Sequence, residues 1–387
     1  MTDTMRMDGE FVAHTYSRFP VELVSGSGCI ARGSDGKEYV DLGSGIGVNA
    51  FGYSDGPWKE AVTAQLDALQ HTSNLYYTSP CASLAALLCE RTGFSKVFFS
   101  NSGAEANECA VKAARKHAAD VRGIASPVIA TLINSFHGRT VTTLSATGQD
   151  KFHRDFQPLT PGFIHISPDP DALAPLYGMK DLAAVMIECV QGEGGVIPLK
   201  KSFTDALVRL RKQTGCLIIC DEVQCGNGRT GRLYSYEHFG FVPDIVSTAK
   251  GLGGGLPIGA TMMTGEAASV FKPGDHGSTF GGNPVCCAGA LSIISRLDEK
   301  LLESVRRKGK MIFDRLSGAP GIKSVSGLGL MIGIALERPA SEVLKDCMDR
   351  GVLCLTAHDR LRLLPPLNIP EDILEKSLDI IAAVCGG

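Results

Sequence analysis

Six short apolar runs in the middle of the chain limit its fold more than any other feature. They are KVFFS (96–100), VIATLIN (128–134), AVMIEC (184–189), CLIICD (216–221), DIVS (244–247) and IGATMM (258–263). Short apolar runs separated by helical or loop segments are typical of buried strands joined by crossovers. They predict an α/β fold with a mostly parallel sheet that helices cover on both faces.

The two ends of the chain have a different pattern. Residues 28–42 predict a hairpin around the turn at 34–37, and helical spacing follows at about 57–70 and 80–92. From about residue 296, helices near 299–316, 340–351 and 370–384 alternate with strands. We therefore predict a large domain at 57–295 and a smaller α+β domain at 296–387, which the N-terminal segment 1–56 joins.

Composition excludes several classes of partner. The formal charge of −3 comes from scattered residues with no basic block, so we expect no nucleic-acid partner. The N-terminus lacks the apolar core of a signal peptide, and no later stretch reaches about 18 apolar residues, so we expect a soluble, cytoplasmic protein without a membrane partner. The 13 cysteines are odd in number and form no CxxC pair, which indicates reduced, mostly buried thiols, and no metal site is expected.

Ligands in such a sheet bind beyond the carboxyl ends of the strands, so the residues that follow each apolar run carry most information. Gly103 and Ala104 follow KVFFS and open a helix that we expect to end near Lys116. Free N–H groups at such a helix start suit a phosphate, although a capped helix without a ligand explains the pattern equally well. After VIATLIN, Phe136 and Arg139 are able to stack on a ring and bind a carboxylate, but a surface loop is the simpler explanation.

Asp221 follows a strand that is almost entirely apolar, where an unpaired carboxylate is unfavourable. It therefore needs a cationic partner, and a pyridinium nitrogen meets this need. At about 4 Å and an effective dielectric near 20, such a pair is worth roughly 4 kcal/mol. The alternative is a structural ion pair with a nearby arginine such as Arg229.

Lys250 stands between the strand DIVS and a loop with glycine at 251, 253, 254 and 255. A lysine held beside a cationic ring or in an apolar pocket loses part of its proton and is able to form a Schiff base. The glycines allow positive φ and a close backbone approach. Taken alone, the fragment fits a solvated lysine in a flexible loop, but the phosphate site, the aromatic, the aspartate and the lysine all fall at strand ends.

Six motifs give the chain its resemblance to a known family. They are SNSGAEANECAVKAAR, SFHGRT, QGEGGV, DEVQCGNGRTG, STAKGLGGGLPIGA and HGSTFGGNP, in this order. The chain resembles the class III (ω-)aminotransferases of the pyridoxal phosphate fold type I superfamily from about Tyr16 to the C-terminus, and most resembles their acetylornithine branch. Glycine-rich nucleotide-binding enzymes are the rival class, but GxxxxGK[ST] is absent and GLGGGLP follows a lysine rather than opening a helix.

The resemblance implies a role for each matching residue toward pyridoxal 5'-phosphate. Lys250 matches the lysine that binds the cofactor covalently and later moves the substrate proton, and Asp221 matches the partner of the pyridine nitrogen. The remaining cofactor residues are the ring contacts Phe136 and Val223, Gln224 near the phenolic oxygen, Gly103 and Ala104 at the phosphate, and Thr279, which reaches the phosphate of a neighbouring subunit. A homodimer with shared active sites follows from this resemblance.

The substrate residues are also implied by the resemblance. Arg362 matches an arginine that binds the α-carboxylate of glutamate, and Glu193 matches a carboxylate that masks it while the other substrate is bound. The alternative is a permanent structural ion pair. Arg139 matches the clamp for the carboxylate of the acylated amino acid, and Ser278 matches a further substrate contact.

The acetylornithine branch is indicated by SGIGVNAFG (44–52) and SNLYY (73–77). An uncharged wall at 45–48 suits an acylamide better than a free α-ammonium. We therefore expect transamination between N2-acetylornithine and 2-oxoglutarate in arginine biosynthesis, with N-succinyl-diaminopimelate as a further donor and with ornithine, γ-aminobutyrate or a polyamine as alternatives. Two departures from the family pattern are Ala104, where a hydroxyl is common, and GYSDGP at 52–57, where GHxHP is usual.

Overall fold

The computed structural model describes residues 2–387. The helices are α1 (Asp3–Phe11), α2 (Ser44–Gly47), α3 (Gly56–Ala68), α4 (Ser79–Thr92), α5 (Gly103–Asp120), α6 (Val141–Ala146), α7 (Lys201–Thr214), α8 (Pro284–Ser295), α9 (Glu299–Leu316), α10 (Ala340–Asp349) and α11 (Glu371–Cys385). The strands are β1 (Leu23–Ser27), β2 (Ile30–Gly33), β3 (Glu38–Asp41), β4 (Lys96–Ser100), β5 (Val128–Leu132), β6 (Phe163–Ile166), β7 (Leu182–Ile187), β8 (Val190–Gln191), β9 (Ile197–Pro198), β10 (Leu217–Asp221), β11 (Ile245–Thr248), β12 (Gly259–Met263), β13 (Ile322–Leu328), β14 (Met331–Leu336), β15 (Val352–Leu353), β16 (Leu355–Ala357) and β17 (Arg360–Leu363).

A seven-stranded sheet forms the centre of the molecule, in the order β4-β12-β11-β10-β7-β5-β6. All six apolar runs are strands of this sheet, and the pairs from β11 to β6 are parallel, which confirms the predicted mostly parallel α/β architecture. β12 is antiparallel to both of its neighbours. Sequence patterning predicted neither this reversal nor β6, whose residues are all only half-buried because the strand lies at the sheet edge.

Apolar layers cover both faces of this sheet. Along β10, Ile218 and Cys220 belong to one buried cluster and Leu217 and Ile219 to another, because successive side chains of a strand point to opposite faces. Helix α5 packs its alanine face into the second cluster. This helix continues to Asp120, beyond the predicted end near Lys116, since no glycine or proline interrupts it there.

The two ends of the chain share a sheet. The predicted hairpin at 28–42 is confirmed by the antiparallel pair β2 and β3, and β15 adds to β3 in parallel. A separate sheet in the order β13-β14-β17-β16 carries the rest of the C-terminal strands. The shared sheet supports a common unit of segments 1–56 and 296–387, and the boundaries at 57 and 296 stay predictions.

The short helix α2 is a left-handed turn. Ser44, Gly45, Ile46 and Gly47 all have positive φ, at 48°, 62°, 63° and 74°. Asp41 holds the turn, since its Oδ1 accepts from the backbone N–H groups of Gly43 at 2.8 Å and of Ser44 at 2.9 Å. The turn is therefore fixed in a conformation that residues with a Cβ rarely adopt.

The segment 52–57, which departs from the family pattern, stabilises this region of the fold. The hydroxyl of Tyr53 donates to Asp41 Oδ2 at 2.7 Å. Asp55 caps α3 by accepting from Trp58 N at 3.1 Å, and it pairs with Arg296 at 2.6 Å. Of the helices between residues 2 and 387, none has the length and apolarity needed to cross a membrane.

Candidate active site

A cavity of about 460 Å³ opens at the carboxyl ends of the central strands. Its walls include eight of the residues that the sequence singled out, namely Gly103, Ala104, Phe136, Arg139, Asp221, Val223, Gln224 and Lys250. They come from loops that follow β4, β5, β10 and β11. The fold therefore brings residues from four separate strand ends to one place, as expected for a doubly covered sheet.

The start of α5 forms one end of the cavity. Ser102 caps the helix by accepting from Glu105 N at 3.1 Å, so Gly103 and Ala104 lie in the first turn, where backbone N–H groups lack a partner within the helix. A Cβ built on Gly103 would lie 2.6 Å from Cγ1 of Val223. A side chain at position 103 would therefore displace Val223, and the helix start is a ready site for an anion.

Asp221 is buried and fully hydrogen-bonded. Its Oδ2 lies 2.7 Å from Asn107 Nδ2 and 2.8 Å from His137 Nδ1, and its Oδ1 accepts from Val223 N at 3.0 Å. These partners fix the direction of the carboxyl group at the edge of the cavity. The alternative partner Arg229 is not used, since its guanidinium donates to the carbonyls of Leu330 and Pro365.

Lys250 follows the carboxyl end of the neighbouring parallel strand, two residues after β11, and lines the cavity. Its φ is 46°, so the backbone is held in the left-handed region, which costs roughly 1–3 kcal/mol for a residue with a side chain. Burial lowers the pKa of Lys250 below its usual range. Within residues 2–387 its amine makes no hydrogen bond and no ion pair, which leaves it available as a nucleophile.

Phe136 and Arg139 line the cavity from the loop after β5. The Phe136 N–H donates to Glu188 Oε1 at 2.9 Å, and the Phe136 ring contacts Phe152 edge to face at 5.7 Å between centroids. The exposed guanidinium of Arg139 lies 4.1 Å from the centroid of Phe152 and has no carboxylate partner in the described chain. A cation in this position is free to bind the carboxylate of a ligand.

Arg362, the second arginine of the predicted site, is buried and paired with a carboxylate, unlike Arg139. Arg362 on β17 is buried, and its NH1 lies 2.5 Å from Glu193 Oε1. Gln224 bridges the pair, since its amide oxygen accepts from Arg362 at 3.1 Å and its amide nitrogen donates to Glu193 at 3.3 Å. Burial opposes the charge of Glu193, but the guanidinium outweighs it and the pKa of Glu193 is lowered.

Four of the predicted residues lie outside the cavity wall. Glu193 and Arg362 reach it through Gln224, and Ser278 reaches it through Asn101, whose Nδ2 donates to Ser278 Oγ at 3.0 Å. Thr279 is exposed and does not line the cavity.

Three buried polar residues of the site were given no role on sequence grounds. They are Asn107, His137 and Glu188, and all three are buried around Asp221 or in the cavity wall. His137 was part of the SFHGRT motif, and Glu188 follows β7 directly. The rule that residues at strand ends line the site could have identified Glu188, whereas Asn107 lies in the second turn of α5 and its contact depends on the fold.

Comparison with known proteins explains this arrangement. The family described as Aminotransferase class-III matches residues 11–385. The chain belongs to the class-III aminotransferases. This aminotransferase is 47% identical over 382 residues to the acetylornithine aminotransferase of Haemophilus ducreyi, an alignment that covers 98% of this chain and 97% of that protein.

Solved structures confirm the fold of this class-III aminotransferase. The ornithine aminotransferase of Toxoplasma gondii superposes with a TM-score of 0.95 at 32% identity, covering 99% of this chain and 94% of that one. The N-acetylornithine aminotransferase of Stenotrophomonas maltophilia superposes with a TM-score of 0.85 at 33% identity, covering 98% of both chains. Class-III aminotransferases in general depend on pyridoxal phosphate and act on small molecules.

Proposed function

We propose that this aminotransferase moves the terminal amine of N2-acetylornithine to 2-oxoglutarate, giving N-acetylglutamate 5-semialdehyde and glutamate in arginine biosynthesis. The observation that carries the proposal is the contrast between its two arginines. Arg139 is exposed and unpaired, whereas Arg362 is buried and paired with Glu193. N2-acetylornithine has one free carboxylate and 2-oxoglutarate has two. One unpaired arginine suits the first substrate, and a second arginine that Glu193 masks suits the other.

We further propose that the cavity holds pyridoxal phosphate. The bare N–H groups at the start of α5 suit its phosphate, and the hydrogen-bonded carboxylate of Asp221 suits its ring nitrogen. Phe136, Val223, Gln224 and Lys250 line the same cavity and supply ring contacts, a polar contact and an amine. When bound, this cofactor supplies an aldehyde that condenses with amines and a ring that withdraws electrons from them.

In this proposal the residues of the chain divide the remaining work. Lys250 Nζ, whose pKa burial lowers, takes the proton from the donor carbon that bears the reacting amine in the first half-reaction and supplies a proton to the α-carbon of 2-oxoglutarate in the second. Asp221 presents its carboxyl group at the edge of the cavity, and Asn107 and His137 fix the direction of that group.

Donor choice is assigned to Arg139 and to the wall beside α2. Arg139 binds the α-carboxylate of the donor at the mouth of the cavity, and Ser278 gives a further contact through Asn101. Val48 lines the cavity next to the turn at 44–47, which carries no charged side chain. An acylated amine suits such a wall, whereas a free ammonium would lose hydration without gaining a counter-charge.

We also propose a homodimer in the cytoplasm. The exposed position of Thr279, outside the cavity of its own protomer, supports a role at the phosphate of a second copy. All thirteen cysteines are free, and only Cys81 and Cys89 are not buried, which supports a reducing location.

The test is a single-turnover titration of the pyridoxal-phosphate-loaded protein with N2-acetylornithine and, separately, with ornithine. The visible absorption of the bound cofactor reports each reaction. We expect the band to change at least about tenfold faster with the acetylated donor, because one unsatisfied buried charge costs that much or more. Lys250→Ala is the control and should not react with either compound.

Ornithine is the second candidate donor, and a specific observation favours it. The structural match to the Toxoplasma gondii ornithine aminotransferase has a TM-score of 0.95. Equal rates with both donors, or a preference for ornithine, would replace the first proposal by this one and would leave the assignment of the cofactor site untouched.

A further inference from the structure

Glu188 is a buried carboxylate to which the proposed mechanism gives no task. It follows β7 directly and lines the cavity. Its Oε1 accepts from the backbone N–H of Phe136 at 2.9 Å, and its Oε2 accepts from the backbone N–H of Gly192 at 3.0 Å. One carboxylate therefore joins two loops that belong to different parts of the site.

The two loops carry different substrate contacts. Phe136 belongs to the loop after β5, which also bears Arg139. Gly192 belongs to the tip of the hairpin formed by β8 and β9, and the next residue along that tip is Glu193. A shift of the hairpin tip therefore moves Glu193 relative to Arg362, which sits on β17 of the C-terminal sheet.

We propose that Glu188 is a positioning residue that holds the hairpin tip at 192–196 in the place where Glu193 masks Arg362, and ties that place to the loop of Phe136. The inference rests on the proposed function, because it concerns access to Arg362, the arginine proposed to bind a carboxylate of glutamate. An ionised Glu188 accepts from both N–H groups at once. An amide or a protonated carboxyl presents a donor to one of them and releases that loop.

Several charged and titratable groups face Glu188 from the surrounding elements. They are His137 in the loop after β5, Asp221 at the end of β10, Cys225 in the loop after it and Lys250 after β11. Burial, opposed by the charge of His137 and reinforced by that of Asp221, raises the pKa of Glu188 to about 7. Its charge therefore changes within the physiological range.

The experiment measures equilibrium binding of glutarate to the pyridoxal-phosphate-loaded protein by calorimetry. Glutarate carries two carboxylates and no amine, so it needs an unmasked Arg362 and cannot react. We expect Glu188→Gln to bind glutarate about tenfold more tightly than the wild type, the effect of one lost hydrogen bond to a charged group. Glu188→Ala removes both acceptors and should act in the same direction, whichever way the glutamine amide turns.

The matched control is Glu222→Gln. Glu222 is another fully buried carboxylate whose pKa burial raises to about 7, and it accepts from Ser235 and Tyr236 away from the cavity. This variant should lower the melting temperature without changing glutarate affinity. Tighter glutarate binding in both variants would mean that any buried carboxylate has this effect, and the proposal would be wrong.

A double-mutant cycle tests whether Glu188 affects glutarate affinity through Glu193. In the Glu193→Gln background Arg362 is already released, so adding Glu188→Gln should change glutarate affinity by less than about twofold. An undiminished effect in that background, or unchanged glutarate affinity in both single variants, would overturn the proposed link.

The pH dependence of glutarate affinity separates a positioning role of Glu188 from a general loss of stability. The difference between the wild type and Glu188→Gln should be largest above pH 7 and should shrink below it, because the wild-type carboxyl is then protonated and also presents only one acceptor. A difference that is constant with pH contradicts the inference.

The inference and the proposed function are able to fail separately. Glutarate is not an amine donor, so failure of the protein to react with N2-acetylornithine would reject the proposed function and leave the glutarate measurement valid.

Discussion

At the scale of single residues, the site leaves little spare volume around its proposed cofactor contacts. A Cβ on Gly103 would lie 2.6 Å from Val223, and a Cβ on Gly192 would lie 2.6 Å from Cδ of Gln224. Real Cβ atoms do not approach so closely, so a methyl group at either position displaces the neighbouring side chain. Each glycine thus fixes the position of a residue that lines the cavity.

We predict that Gly103→Ala weakens binding of pyridoxal phosphate about tenfold, the result of a shifted Val223 and typical of a modest overpacking cost. Fluorescence titration of the cofactor-free protein measures the affinity. Gly56→Ala is the matched control, since Gly56 also opens a helix and has nothing within 4 Å of an added Cβ. Gly103→Ala should cost much less affinity in a Val223→Ala background than in the wild type, because the clashing methyl groups are gone. An equal loss in both backgrounds would show that the clash with Val223 is not the cause.

Sequence reasoning reached some of these residues and not others for a physical reason. Phe136, Asp221 and Lys250 each follow an apolar run by a few positions, and residues at the carboxyl ends of neighbouring parallel strands meet. The partners of Asp221 could not be predicted in this way. His137 and Asn107 lie 84 and 114 residues from Asp221 along the chain, and only the folded geometry brings them to its Oδ2.

At the scale of elements, the left-handed turn α2 is the most strained part of the site region. Ile46 has φ 63° and ψ 45°, although β-branched side chains disfavour this conformation. Backbone bonds from Gly47 N to Gly43 O and from Val48 N to Ser44 O, both 2.9 Å, hold it. The strain lies directly before Val48 in the cavity wall, at the place to which we assign part of the donor choice.

Replacing Ile46 should therefore make the protein more stable. We predict that Ile46→Asn raises the free energy of unfolding by about 1 kcal/mol, because asparagine tolerates the left-handed region. Denaturant unfolding followed by circular dichroism measures it. Val141→Asn is the control, since Val141 is also exposed and β-branched but begins a right-handed helix. A gain of the same size in the control would remove backbone strain as the explanation.

Predicted elements agreed with the structure where the pattern was strong. Each of the six apolar runs is a strand, because a strand buried on both faces must be apolar throughout. The direction of a strand was harder to predict from the sequence. β12 has the same apolar pattern as the parallel strands of the sheet but runs antiparallel to both of its neighbours. β6 escaped detection because an edge strand with half-buried residues lacks the signal of a buried strand.

At the scale of the whole molecule, one surface has the character of an interface. Tyr77 and Phe280 are exposed large aromatics, and Asn74 ties their two segments together by donating to the carbonyls of Ser278 and Gly281, both at 2.9 Å. Thr279 lies on this surface. Exposed apolar groups on two segments held together in this way are typical of surfaces that contact another protein, and here they adjoin the residue proposed to serve a second copy.

Mixing two inactive variants tests the shared site. Lys250→Ala lacks the reacting amine, and Thr279→Val lacks the contact offered to the neighbour. After subunit exchange, one site of each hybrid dimer combines an intact Lys250 with an intact Thr279, so activity should return to about a quarter of the wild-type sites in an equal mixture of a C2 dimer. A mixture of Thr279→Val with the wild type is the control for subunit exchange. No recovery despite hybrid formation on native mass spectrometry would place Thr279 outside the neighbouring site.

Under the proposed function, the pair of Glu193 and Arg362 makes the protein its own competitive inhibitor. Glu193 is a carboxylate tethered beside Arg362 at 2.5 Å, so any carboxylate ligand of that arginine must displace it. Short tethers give effective concentrations in the millimolar range. The apparent affinity for glutamate is therefore the intrinsic affinity reduced by the small fraction of time that the tether is open. The length and stiffness of the hairpin that carries Glu193 would then set the glutamate concentration at which the enzyme responds, without any change to the residues that touch glutamate.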